Sequence, residues 1–248
     1  MPIPAKAFQR WLHGIAPNTS TSDICRVSGI KRTTLAQQLV RGKVAETTVV
    51  SISRAYNVNP VSALAAFDAY SQLTDTRPPT RPELVSQIST TDLLRAVLAR
   101  SVADPGGEPA VAAPAGSSAL EPAPHATSVK NWVEAIDDGE LRHRVSAATG
   151  IAPQNYSAQL TANRLAPELA VATSLAAGVG PASGLVATGL VTEAEAGWPP
   201  EARQAALDSL SDGQLTTLAG DRLQTLGRAL RRQEHDHEKT EKIWENLG

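Results

Sequence analysis

Thr21-Ser22-Asp23-Ile24-Cys25-Arg26-Val27-Ser28-Gly29-Ile30-Lys31-Arg32-Thr33-Thr34-Leu35 is the stretch that decides the fold of this chain. Apolar residues at Ile24, Val27, Ile30, Leu35 and Leu39 keep helical spacing and Gly29 punctuates them, so the segment reads as helix, sharp turn, helix. Side-chain oxygens between Thr19 and Ser22 can cap the first helix, whose expected body is Asp23 to Ser28. The second is expected to open near Thr33 and to run to about Val40, where Gly42 ends it. A small residue, Cys25, and the turn glycine let the two helices cross closely.

Outward from this motif, the apolar pattern at Phe8, Trp11 and Leu12 predicts a helix before it. Val49, Val50, Ile52, Ala55 and Tyr56 predict one after it, and Val61 to Tyr70 predicts another behind Pro60. The unit is therefore a five-helix bundle. Residues 8–70 recur at 129–191, shifted by 121 positions without a gap: Trp11, Gly29-Ile30, Gln38-Leu39, Ala45, Val58 and Pro60 return as Trp132, Gly150-Ile151, Gln159-Leu160, Ala166, Val179 and Pro181. The likeness extends to Pro78-Pro79 with Pro199-Pro200, and to Ile88-Ser89 and Leu93 with Leu210-Ser211 and Leu215.

The expected fold class is all-α: two tandem five-helix helix-turn-helix domains joined by a disordered Pro/Ala-rich linker, plus a C-terminal charged helix. The expected boundaries are an N-terminal domain at 1–75, accessory helices at 76–100, a disordered linker at 101–128, a second, diverged domain at 129–197 and C-terminal helices at 198–248. Ser101 to Ser128, rich in Ala, Pro, Gly and Ser, has little apolar surface to set against chain entropy, and would let the repeats sit apart in variable orientation.

Charge separates the repeats. Residues 1–75 hold eight Lys/Arg against four Asp/Glu, and residues 129–197 hold four against seven. A basic unit is the footprint of a polyanion binder. The lone Cys25 suits a reducing cytosol, and the N-terminal MPIPAKAFQRW lacks a signal peptide's apolar core, so a cytoplasmic location is expected. The uncharged run Leu169 to Val191 imitates a membrane span, but Gly178, Gly180, Pro181 and Gly184 interrupt it, and no membrane partner is expected.

The motif, its glycine, the following aliphatic helix and the Asn57-Val58-Asn59-Pro60 segment, all within Thr19 to Phe67, resemble the lambda-repressor-like, or Xre-type, helix-turn-helix regulators. Lys31-Arg32 stand where that family often has a small residue and a Gln. Ser53-Arg54-Ala55-Tyr56 with Asn59-Pro60-Val61, and Leu185-Val186-Ala187-Thr188-Gly189-Leu190 with Thr192-Glu193, are similar to immunity repressors of temperate actinobacterial phages.

The resemblance implies double-stranded DNA as partner, with the helix beginning near Arg32 in the major groove. Base readers would be Arg32 on guanine, Gln37 or Gln38 on adenine, and Thr33 or Thr34 on a base or a phosphate; phosphate contacts would be Arg26, Lys31, Arg41 and Lys43. In the second repeat Lys31-Arg32 become Ala152-Pro153 and Arg41 becomes Ala162, while Glu134, Asp137 and Asp138 would repel phosphate. Gln154, Asn155, Gln159 and Arg164 could still touch DNA, against a role in dimerisation or in binding another protein.

The function expected from these readings is a sequence-specific transcriptional regulator, a repressor of phage or prophage immunity type. The alternative is an adaptor tethered to DNA by the first domain, with residues 129–248 binding a protein partner or a second copy of the chain. No glycine-rich phosphate loop, zinc-ligand spacing or nucleophile elbow appears, so neither an enzyme, a cofactor nor a metal is expected. His235 and His237 read as part of a charged helix, Cys25 as packing, and Trp11 and Trp132 as core anchors.

Overall fold

The computed structural model describes residues 3–102 and 119–245, and these are mostly helical. The chain divides into two compact units, Met1–Gln87 with Pro122–Ala202, and Ile88–Glu121 with Arg203–Gly248.

The first unit opens with β1 (Ile3–Pro4), followed by α1 (Ala5–Ile15), α2 (Thr21–Ser28), α3 (Arg32–Val40), β2 (Lys43–Val44), α4 (Glu46–Ala55) and α5 (Pro60–Ala65). A short 3-10 stretch, Asp68–Thr74, and α6 (Arg81–Ser86) complete this half. The local chemistry explains the boundaries. Ser20 Oγ accepts from the Asp23 amide at 3.1 Å and starts α2, and Gly29, left-handed at φ 70°, ends it. Asn59 Oδ1 accepts from the amides of Val61 and Ser62 and, with Pro60 in the first turn, starts α5. Ile3 pairs with Val44 and Pro4 with Lys43 in an antiparallel bridge, with Ile3 and Val44 fully buried.

The second half carries α8 (Ser128–Ile136), α9 (Leu141–Thr149), α10 (Pro153–Thr161), α11 (Pro167–Ala177) and α12 (Ser183–Ala187). Their bounds fall within two residues of those of α1 to α5 after the 121-residue shift. Gly150 at φ 72° repeats the left-handed turn of Gly29, and Gly178 at φ 73° breaks the uncharged run that imitated a membrane span. Among the described residues no helix is long and apolar enough to cross a membrane.

Two expectations are corrected. The two repeats are not independent bodies on a long tether: one hydrophobic core runs from Ile3, Phe8 and Leu35 through Trp132, Val145 and Tyr156 to Trp198. Nor is the whole of 101–128 a disordered linker. Ser101 and Val102 end α7 (Thr90–Val102), residues 103–118 lie outside the described residues, and 119–128 are held in place. The Glu121 amide donates to Asp92 at 2.8 Å, a His125 ring nitrogen lies 2.9 Å from the Ser86 carbonyl, and the Ser128 hydroxyl donates to Gln87.

Both tryptophans pack in this core, as expected, though not to the same depth. Trp132 is fully buried because α6 covers α8, with buried Glu83 accepting from its Nε1 at 3.4 Å; Trp11 is half-buried between Phe8 and Phe67.

The second unit is built from α7, α13 (Ala202–Asp208) and α14 (Asp212–Glu245) around Ile88, Leu93, Leu207, Leu215 and Ala219. Ser89 and Ser211 accept from the amides of Asp92 and Gln214 and start α7 and α14 in the same way. Arg100 ties α7 to the other two through the carbonyls of Leu207 and Leu210 and the carboxylate of Asp212. The charged C-terminal helix thus begins at Asp212.

Candidate nucleic-acid interface

A helix can offer a reading face only if its other face is anchored, and α3 meets this condition with Leu35, fully buried, and Leu39, half-buried. Arg32, Thr33 and Thr34 occupy its first turn, Gln37 follows one turn on, and all four are exposed. Lys31, just before the helix, makes no side-chain cap, so the first-turn amides point outward unoccupied by side chains of their own helix. Lys31, Arg41 and Lys43 are exposed around this helix, Lys43 being placed by the β1–β2 bridge. Residues of this kind can form bidentate contacts to base edges at the helix start, with cations on the flanking phosphates.

Arg26 is exposed but engaged, its Nη2 lying 3.0 Å from Asp23 Oδ1. The Ser20 hydroxyl first, and then Arg26, hold the Asp23 carboxyl below its usual range. Such an exposed pair contributes little and opens readily to a competing phosphate.

Gln38 leaves the base-reading set. Its Oε1 accepts from the Ala45 amide at 3.2 Å and from Thr48 Oγ1 at 2.9 Å, so the carbonyl needed for a bidentate adenine contact is committed to holding the turn into α4. Gln159 repeats this, its Oε1 accepting from the Ala166 amide at 3.1 Å, and leaves the second repeat's contact set for the same reason. The signal was in the sequence: a glutamine kept at one position in both repeats, while the neighbouring basic residues diverge, belongs to the scaffold.

Two further residues of the outward face escaped the sequence reading. Val40 is 89% exposed and Ala36 is exposed, both on the side of α3 that carries Thr33 and Gln37. An apolar group presented this way can meet a thymine methyl.

In the second repeat, Gln154 and Asn155 stand exposed in the first turn of α10, and Arg164 stands exposed where the first repeat has Lys43. The acidic residues before α9 are engaged locally. Asp137 Oδ1 accepts from the amides of Gly139 and Leu141, and Asp138 pairs with Arg144 at 2.9 Å. The bond from Arg144, with the Glu140 amide next, holds the Asp138 carboxyl below its usual range. Glu134 is exposed, with Lys130 at 3.8 Å.

The repeats meet through a cluster that the sequence did not announce. Arg54 Nε and Nη2 donate to the two oxygens of Glu195 at 2.7 and 2.8 Å, and Nη2 also reaches the Leu190 carbonyl at 3.2 Å. Asn59 Nδ2 donates to the Glu195 carbonyl at 2.9 Å, and Arg77 Nη1 to that of Gly178 at 2.8 Å. The Arg54 guanidinium lowers the Glu195 carboxyl below its ordinary range.

Compared with known protein families, with curated proteins and with solved structures, the chain matches none.

Proposed function

We propose that this chain is a sequence-specific, double-stranded-DNA-binding transcriptional regulator of the lambda-repressor-like kind, not an enzyme, and that it represses by covering promoter DNA as phage or prophage immunity repressors do. The reading makes each repeat one copy of a five-helix helix-turn-helix domain, with α3 as the recognition helix of the first.

The observation that carries it is α3 itself: a helix anchored on one side by Leu35, with Arg32, Thr33, Thr34 and Gln37 free on the other and Lys31, Arg41 and Lys43 around it. The basic balance of residues 1–75 supports the same reading, because phosphate attraction supplies most non-specific affinity.

Titrations of the full chain against selected and random duplexes at several salt concentrations test it. Arg32→Ala changes base preference, each bidentate contact carrying about 1–3 kcal/mol of discrimination. Lys43→Ala weakens binding to every duplex and lowers the salt slope by about one unit. Equal affinity for all duplexes would refute sequence-specific reading.

A second reading, an adaptor that binds a protein through the C-terminal part of the chain, is favoured by Leu223, Leu226 and Leu230, which stay 44–48% exposed along α14. Stoichiometric capture of one protein by the full chain, lost when those leucines are replaced by Gln, would support it.

A further inference from the structure

The contacts between the repeats are reciprocal. After the 121-residue shift Glu195 corresponds to Thr74, Leu190 to Ala69, Gly180 to Asn59, and α11 to α4. Arg54 of α4 and Asn59, in the first repeat, grip Glu195 and Leu190, which correspond to the 3-10 stretch. In the opposite sense, α11 packs on the 3-10 stretch of the first repeat. Gly180 lies so close to the Arg77 carbonyl that an added Cβ would stand 2.7 Å from it.

When segment i of one copy meets segment j of the other, and j meets i, the copies are related by about half a turn, as in a two-fold dimer. Here both partners belong to one chain, and the face a helix-turn-helix protomer could offer to a second molecule is occupied from within.

Resting on the proposed DNA-binding function, we infer that this reciprocal pairing makes one chain a built-in heterodimer, which reads two unlike half-sites at one fixed spacing as a monomer.

Neither α3 nor α10 supplies a residue to the bonds that join the repeats, and a half turn of this kind would bring α3 to the place of α10. The residues they present differ: Arg32, Thr33, Thr34, Ala36, Gln37 and Val40 on α3 are matched in position by Pro153, Gln154, Asn155, Ser157, Ala158 and Thr161 on α10. The preferred element is therefore not a palindrome. Arg164, at the position of Lys43, keeps one phosphate contact in the second half, and the bonds made by Asp137 and Asp138 answer their charge within the protein.

The test offers the full chain a pool of randomised duplexes. Two different motifs, about one helical turn apart centre to centre, are expected, with one 26.0 kDa chain per duplex by light scattering. Inserting about half a turn, ~5 bp, between the motifs lowers affinity about tenfold or more, whereas a flexible tether would tolerate it.

Gln154→Ala combined with Asn155→Ala removes the preference at one motif only, and Arg32→Ala at the other only, with helical content by circular dichroism confirming that each variant is folded. A single motif, tolerance of the insertion, or two chains per duplex overturns the inference and leaves DNA reading standing. Recovery of no motif overturns the DNA-binding reading itself.

Discussion

Replacing Arg54 by Ala removes both bonds to Glu195 and the bond to the Leu190 carbonyl in a single change. Hydrogen bonds to charged groups contribute about 1.5–3 kcal/mol each when well shielded. The Arg54 side chain is 44% exposed, however, so screening by water discounts the sum to roughly 1–2 kcal/mol. Glu195, only 19% exposed, keeps its bond from the Thr192 amide and is not left wholly unpaired.

For a chain of this size the loss corresponds to a fall in Tm of about 2–8 °C, at about 2–4 °C per kcal/mol. The pH dependence has a definite sign. The fold, through the Arg54 guanidinium, lowers the Glu195 pKa below its ordinary value, so the stabilisation is present above that ordinary value and is lost as pH falls through the folded pKa. Thermal unfolding of the native chain and Arg54→Ala should therefore differ most near neutral pH and converge in acid. An identical gap across that range, or none at neutral pH, would refute the assignment of this stability to the Arg54–Glu195 pair.

Gly184→Ala should cost about 2–3 kcal/mol, because its Cβ would meet the Ala170 carbonyl carbon at 2.7 Å and the Trp132 ring at 2.9 Å where α12 crosses α11. Ala63, the matching residue of the first repeat, fits there buried, so Ala63→Gly should cost only about 0.5–1 kcal/mol; urea midpoints compare the two. Gln38→Ala should lose about 1–2 kcal/mol of stability, from the bonds to Ala45 and Thr48, and leave base preference unchanged in a selection experiment. A changed preference would return Gln38 to the reading face. Ser20→Ala, which removes the N-cap of α2, should lower stability by about 1 kcal/mol in the same urea measurement.

What the sequence disclosed was governed by local physics. The bounds of α2 and α3 follow from periodicity, a capping serine and two glycines, all of which act within a few residues. The β1–β2 bridge was invisible because two-residue strands carry no alternation to detect. The committed carbonyl of Gln38 depends on Ala45 and Thr48, which the α3–α4 turn brings back to it.

The joining of the repeats was concealed for another reason. Arg54 and Glu195 are 141 positions apart, and each alone reads as a surface charge. The Ala/Pro composition of 119–128 suggested disorder because it says nothing of Ser86, Gln87 and Asp92, which receive that segment.

The chain enters its second unit twice, supplying α7 before the second repeat and α13 and α14 after it. On the ribosome, α7 emerges with no core to join, and Ile88 and Leu93 wait for Leu207 and Leu215, which follow more than 110 residues later. The two units therefore mature on different schedules, and a chain terminated early would leave the apolar side of α7 bare.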